Sequence, residues 1–361
     1  MKLYIITGEK SGDNHAANLV RELKDSDNNI NIRAWGGDKL REEGVEIVRD
    51  IQETSFMGLW DVLLNIRKVK ENLSFCKKDI LEFNPEAIIL VDYPGFNLRI
   101  AKYAKSLGIK IFYYIAPKVW AWNRRRVYKI RKYVDQLLVI FPFEVEFFRA
   151  YDIPTTYVGN PLIEPITSFK QSSVSNSYRK PLIALLPGSR KKEIDRILPS
   201  MLSVVDYYDN YQFVIAGTSN FSKEYYQSFI KDRRVDVIIE DTYSLLNSCD
   251  IALVASGTAT LEVALFKVPQ IVCYKTDWLT YFIAKLVIRI KYISLVNILL
   301  NKNLVRELIQ GNLNRNNLIS EIDYLLDNKD DIISNYNDLI EQLKEQGKGV
   351  SVSDLIIDSK K

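Results

Sequence analysis

Several stretches of this 361-residue chain set chemistry-bearing side chains beside glycine turns. In ALVASGTATLEVAL, residues 252–265, an apolar run breaks at Ser256-Gly257-Thr258 and soon afterwards meets Glu262. Gly257 allows backbone to approach a ligand closely, and free amides at a helix start suit a diphosphate. A carboxylate one turn later could accept two hydrogen bonds from a ribose diol. A plain N-cap with a dipole-compensating glutamate would have the same sequence. LIALLPGSRKKEI, residues 182–194, places Gly188, Ser189 and Arg190 after another apolar run. A guanidinium fork there can reach phosphate oxygens, although a solvated surface arginine also fits. Glu193 suits a helix-start charge better than a ligand. Neither stretch contains GxGxxG or GxxxxGK[ST], so dinucleotide and P-loop readings fail.

The first half of the chain has its own set. GEKSGDNHA, residues 8–16, holds Glu9, Ser11, Asp13 and the one histidine, His15. These could orient a sugar, or Ser11 or Asp13 could simply cap a helix. In LVDYPGFN, residues 90–97, Asp92 ends an apolar run before Pro94-Gly95. A partly desolvated carboxylate there could serve as a general base, and an Asx-type turn residue is the alternative. IAPKVWAWNRRRV, residues 115–127, offers two tryptophans and three arginines. Sugar stacking or an anionic headgroup would use them, as would an ordinary core.

Such residues need elements to hold them. Leu3–Thr7, Ala87–Val91, Ile109–Ile115 and Leu137–Phe141 read as buried strands, with helical patterns at Asn14–Lys24 and Leu98–Ser106 between them. After a polar stretch, Ser168–Lys180, the rhythm restarts with strands at Leu182–Leu186, Gln212–Ala216, Val235–Ile239, Ile251–Ala255 and Gln270–Tyr274. Strands apolar throughout, separated by helices, indicate parallel sheets covered on both faces. The expectation is an α/β protein of two doubly wound, Rossmann-like domains, 1–167 and 178–361, facing a central cleft, with charged terminal helices in the second. Ligands in such sheets bind beyond the carboxyl ends of the strands, where the motifs lie.

Composition narrows the function. A net charge of +4 argues against a dedicated nucleic-acid binder. Cys76, Cys249 and Cys273 lack paired spacing, fitting a reducing compartment and no metal site. Neither a signal peptide nor a bilayer-spanning run is apparent, so a cytoplasmic protein is expected.

GE-SGD near the start, Met57-Gly58, D-P-FN from Asp92, P-VWAW from Pro117, PFE from Pro142, PGSR from Pro187, SGTATLE from Ser256, and SLVN with LV-EL-Q between Ser294 and Gln310 occur in this order. Together they resemble the lipid-A-disaccharide synthases over about residues 1–310. The resemblance implies a GT-B fold and an inverting transfer of 2,3-diacylglucosamine from UDP to 2,3-diacylglucosamine 1-phosphate (lipid X). The products would be a β-1′,6-linked disaccharide phosphate and UDP, with no metal or other cofactor. It implies donor contacts from Gly188, Ser189, Arg190, Ser256, Gly257, Thr258, Glu262, Asn297 and Gln310. Asp92, Glu9 and Asp13 become the catalytic candidates, and Ser11, Asn97 and Trp120 the acceptor side. The chain departs from the family pattern at Gly95, where a second acid is common, and at His15, where an apolar residue is usual.

Acylated substrates imply a peripheral seat on the cytoplasmic face of the inner membrane. Leu59, Trp60, Leu63, Leu64 and Ile66 form a wide apolar stripe continued by Val69 and Leu73, with Arg67, Lys68 and Lys70 following. This suits an interfacial helix, or a core-facing one. WLTYFIAKLVIRIKYI, residues 278–293, could be a buried helix or a second membrane contact. A homodimer is compatible with all of this. Two other functions fit the nucleotide loops: a UDP-sugar 2-epimerase, which leaves the apolar stripe unexplained, and a non-catalytic nucleotide-sugar-binding regulator.

Overall fold

A computed structural model describes residues 1–51, 66–121, 123–169, 181–287, 290–347 and 349–358. Its described residues fall into two compact units. The first unit carries a parallel sheet of β1 (Lys2–Ile6), β2 (Asn31–Gly36), β3 (Glu46–Asp50), β4 (Ala87–Val91), β5 (Lys110–Tyr114), β6 (Gln136–Val139) and β7 (Thr155–Tyr157), in the order β3-β2-β1-β4-β5-β6-β7. Its helices are α1 (Lys10–Ser26), α2 (Asp38–Glu42), α3 (Ile66–Phe83), α4 (Pro94–Ser106), α5 (Arg126–Tyr133) and α6 (Pro142–Arg149). Alternate residues of the central strands feed two cores. Tyr4, Ile6, Ile88 and Leu90 pack with α3 and α4 on one face, and Leu3, Ile5, Ile89 and Val91 pack with α1 on the other. That is why these strands are apolar at every position.

The second unit begins with α7 (Ile163–Thr167). Its parallel sheet joins β8 (Leu182–Leu186), β9 (Gln212–Gly217), β10 (Val235–Ile239), β11 (Ile251–Ala255), β12 (Gln270–Tyr274) and β13 (Arg306–Ile309), in the order β10-β9-β8-β11-β12-β13. The helices are α8 (Lys191–Leu202), α9 (Lys223–Ile230), α10 (Thr242–Ser248), α11 (Ala259–Leu265), α12 (Trp278–Val287), α13 (Leu295–Leu300), α14 (Arg315–Asp327) and α15 (Lys329–Gln346). Both sheets reverse their order beside the first strand, between β1 and β4 and between β8 and β11. Two Rossmann-like units of this kind make a GT-B-type architecture.

The structure differs from the sequence expectation in three respects, the first being that the units divide between Pro161 and Leu162 rather than at 167. Strands β2, β3, β7 and β13 carry polar or mixed residues and escape an apolar-run criterion. The terminal helix α16 (Val352–Ile357) belongs with the first unit rather than the second. Val352 and Ile356 are buried in the core that includes Leu3, Ala16 and Leu19, and Ser26 Oγ meets Ser353 Oγ at 3.1 Å. No helix among the described residues is long and apolar enough to cross a membrane.

Candidate active site

In the first unit the junctions after β1 and β4 touch. A Cβ placed on Gly8 would lie 2.2 Å from the Tyr93 ring, so glycine there lets Tyr93 close over the loop. Asp92 and Tyr93 have φ of +44° and +48°, two consecutive left-handed residues without glycine. Each such residue costs roughly 1–3 kcal/mol and persists only where its surroundings impose it. Here they do. The Asp92 carbonyl accepts from Tyr113 Oη at 2.5 Å and from Asn97 Nδ2 at 2.8 Å. Proline at position 94 also disfavours right-handed helical backbone in the residue before it.

The Asp92 carboxyl is half-buried and its pKa is pushed up to about 6. Desolvation is the main cause and nearby Glu9 adds to it, while Lys118 and Arg126 pull the other way. A carboxylate in this range is ionised at neutral pH yet basic enough to take a proton.

The rival acid has another task. Asp13 is buried, and its oxygens accept from Gly37 N at 2.7 Å and Lys39 N at 3.0 Å, fixing the turn between β2 and α2. Neither Ser11 nor Asp13 caps α1; the N-cap is Glu9. Glu9 is half-buried and Ser11 exposed. His15 is half-buried in α1, and burial lowers its pKa. Asn97 is fully buried under the Asp92 turn, where it supports backbone. Trp120 is buried too, with Nε1 donating to Glu144 Oε1 at 2.9 Å. Of the two roles open to that tryptophan, packing is the one seen.

In the second unit the PGSR and SGT loops leave neighbouring strands, β8 and β11, at matching register. Gly188 has φ +104°, a backbone conformation that residues with a side chain rarely adopt, so glycine suits this turn. Arg190 caps α8 from an exposed position and donates loosely to Glu193 Oε1 at 3.3 Å. Around Gly257 the space is open: a Cβ there would meet nothing within 4 Å. Thr258 is exposed. Because α11 has only seven residues, its dipole is modest, and Arg190 supplies a full positive charge near this edge.

Glu262 sits one turn into α11, half-buried beside the mutually packed rings of Phe169, Tyr243 and Phe266. Burial raises its pKa, and the contact from Tyr243 Oη is long at 3.4 Å. An acceptor with its solvent removed and little in return gains from new hydroxyl donors.

The SLVN and LV-EL-Q motifs form a support behind the SGT loop. Ser256 Oγ donates to Ile293 O at 3.0 Å. Glu307 accepts from Ile293 N, Ser294 N, Ser294 Oγ and Asn297 Nδ2 at 2.9–3.1 Å. Asn297 is fully buried; its Nδ2 also reaches Val305 O, and its Oδ1 accepts from Leu304 N and Val305 N. Gln310, with φ +53°, exchanges two hydrogen bonds with the Thr276 backbone. Asn297 and Gln310 therefore hold loops. Sequence reasoning missed Tyr113, Tyr243 and Glu307: the tyrosines look like core residues, and Glu307 lies in a strand too polar to stand out.

Leu59, Trp60, Leu63 and Leu64 lie outside the described residues, as does the Ile66 side chain. Farther along that stripe, Leu73 packs against the first unit's core. On α12, Trp278 and Phe282 are 64% and 58% exposed and Lys285 is exposed, so these side chains do not belong to a buried helix.

Comparison with known proteins gives a consistent result. The family described as "Lipid-A-disaccharide synthetase" matches residues 3–354. "Lipid-A-disaccharide synthase 1" of Legionella pneumophila (strain Paris) is 38% identical over 325 residues, covering 87% of this chain and 85% of the relative. "Lipid-A-disaccharide synthase" of Coxiella burnetii (strain CbuG_Q212) is 33% identical over 364 residues, covering 98% and 96%. Among solved structures, the Neisseria meningitidis UDP-GlcNAc 2-epimerase aligns with a TM-score of 0.66 at 15% identity, covering 100% of this chain and 99% of the other. A glycotransferase of kitacinnamycin aligns at 0.69 and 12%, covering 99% and 98%. At such low identity these structures testify to the fold alone.

Proposed function

The chain belongs to the lipid-A-disaccharide synthase family, and from that premise we propose how its two units divide the reaction. The enzyme is a hexosyltransferase that condenses UDP-2,3-diacylglucosamine with 2,3-diacylglucosamine 1-phosphate to the β-1′,6-linked disaccharide 1-phosphate and UDP. The second unit takes the donor: Glu262 accepts from the ribose hydroxyls, and the SGT loop, Gly188, Ser189 and Arg190 meet the diphosphate. The first unit takes the acceptor. Asp92 removes the proton of the acceptor 6-hydroxyl as its oxygen bonds to the donor anomeric carbon. The bond from that carbon to UDP breaks on the opposite face, and its electron pair leaves with UDP, inverting the centre. Arg190 meets the charge gained by the departing diphosphate.

The observation that carries this reading is Asp92 itself: a raised, half-buried carboxylate held in strained backbone at the strand-order reversal of its sheet. Glu9 raises its basicity through like charge, and Asn97 and Tyr113 hold its turn. The likeness to 2-epimerases is one of fold, and fold does not carry activity. For the acyl chains, Trp278 and Phe282 with Lys285 fit a lipid surface. This supports a peripheral seat on the cytoplasmic face of the inner membrane. The test is incubation with UDP-2,3-diacylglucosamine and lipid X, reading products by mass. Disaccharide phosphate and UDP in equal amounts are expected. Interconversion of UDP-sugars, or tight binding without turnover, would refute the reading.

A further inference from the structure

Strands β4 and β5 pair with Val91 opposite Tyr114, so Asp92 and Ile115 leave the sheet side by side. The loop after β5 is firmly held. Ile115 has φ +60°, which a β-branched residue adopts only under constraint, and its N–H donates to Leu138 O at 3.0 Å. Ala116, Val119 and Trp120 are buried. The indole is tied to Glu144, which is itself 1% exposed and also accepts from Phe141 N. Between these buried anchors one side chain, Lys118, stands out in solvent. An ordered stretch with a buried, hydrogen-bonded interior thus presents the Lys118 cation on the loop that leaves the sheet beside Asp92.

Arg126 opens α5, half-buried, and feels both Tyr113 and Asp92 electrostatically. Lys118 also acts on Asp92 through space. The acid is thus accompanied by two cations of the same unit.

We propose that Lys118 and Arg126 form the site for the acceptor's phosphate. The acceptor presents a hydroxyl to be deprotonated at one end of a single sugar ring and a phosphate at the other. A base and an anion site on one surface are what that molecule requires. An arginine fork and a lysine point charge both recognise phosphate. The inference rests on the reading of Asp92 as the base for this acceptor.

The experiment compares two acceptors, 2,3-diacylglucosamine 1-phosphate and its dephosphorylated counterpart, with the full-length enzyme. Lys118→Ala should lower kcat/KM for the phosphorylated acceptor about 10- to 100-fold more than for the dephosphorylated one, mostly through KM, because its effect on the Asp92 carboxyl is common to both acceptors and cancels in the ratio. Arg126→Gln should behave likewise, and Lys118→Arg should restore most of the activity. Lys110→Ala, which removes the same charge from the amino end of β5, should discriminate as wild type does. UDP affinity by calorimetry should stay constant, and an unchanged thermal unfolding of the first unit confirms folding. Equal losses on both acceptors, or no loss with Lys118→Ala, would overturn the phosphate site while sparing the reaction. Wild-type enzyme that transfers to neither acceptor would overturn the underlying reaction and the site with it.

Discussion

After β4 the chain turns through two consecutive left-handed residues, Asp92 and Tyr93. After β11, the equivalent strand of the second unit, it turns through Ser256-Gly257-Thr258, none with positive φ. The two turns occupy the same place in the same strand order, yet one is tight and the other open. Hydrogen bonds from Tyr113 and Asn97 and the Tyr93 ring against Gly8 crowd the first. At the second, the space beside Gly257 is unfilled. A crowded junction desolvates a carboxyl and raises its basicity. An open one leaves backbone amides and a nearby arginine accessible to an anion. One topology thus yields a crowded junction with a desolvated carboxyl in one unit and an open junction in the other, the contrast on which the proposed base and donor seat rest.

The comparison predicts effects that separate by unit. The largest belongs to Asp92→Asn, which keeps the shape and removes the basicity. Turnover should fall about 100- to 10,000-fold while UDP binding by calorimetry is unchanged. Near-normal turnover, with loss instead in Glu9→Gln, would move the base to the loop after β1. In Arg190→Ala turnover should drop about 100-fold or more, exceeding the loss in donor affinity. Arg190→Lys should recover only part; full recovery would rule out a two-pronged contact.

Glu262→Ala should weaken UDP binding about 10- to 150-fold, because a charged hydrogen bond is worth roughly 1.5–3 kcal/mol. Asn297→Ala sharpens the contrast between contact and support. It leaves the Leu304 and Val305 amides and the Val305 carbonyl without partners, so denaturant unfolding of the second unit should show a loss of about 2–3 kcal/mol. Lost UDP affinity at unchanged stability would make Asn297 a ligand instead.

The smallest effect is on stability. Folding raises the Asp92 pKa from 3.8 to about 6, so the ionised carboxylate destabilises the fold. That cost is absent below about pH 4, grows between 4 and 6, and is full above 6. For a half-buried group it amounts to about 1–3 kcal/mol. Asp92→Asn should therefore melt higher than wild type at pH 8 and alike at pH 4. Wild-type kcat/KM, which reports the free enzyme, should rise with pH through about 6, as Glu9, Lys118, Arg126 and Tyr113 all act on Asp92 around the same turn.

The sequence by itself determined the central strands and the junction motifs. Runs such as Ala87–Val91 and Ile251–Ala255 are apolar at every position because both sheet faces are covered, and that pattern is local. Glycines and charges after such runs mark the loops, and their order identifies the family. The rest was decided by tertiary structure, because it depends on residues far apart in the chain. Strands β3 and β13 exist through pairing with a neighbour rather than through their own hydrophobicity. Asp13 became a brace for the turn after β2, and Asn297 a brace for the loop before β13, because distant amides reach them. The α16 helix returned to the first unit because Val352 and Ile356 complete its core. The raised carboxyl that makes Asp92 the proposed base depends on the setting that Tyr113, Asn97 and Glu9 provide: desolvation and nearby charge set a proton affinity, and both arise from the fold.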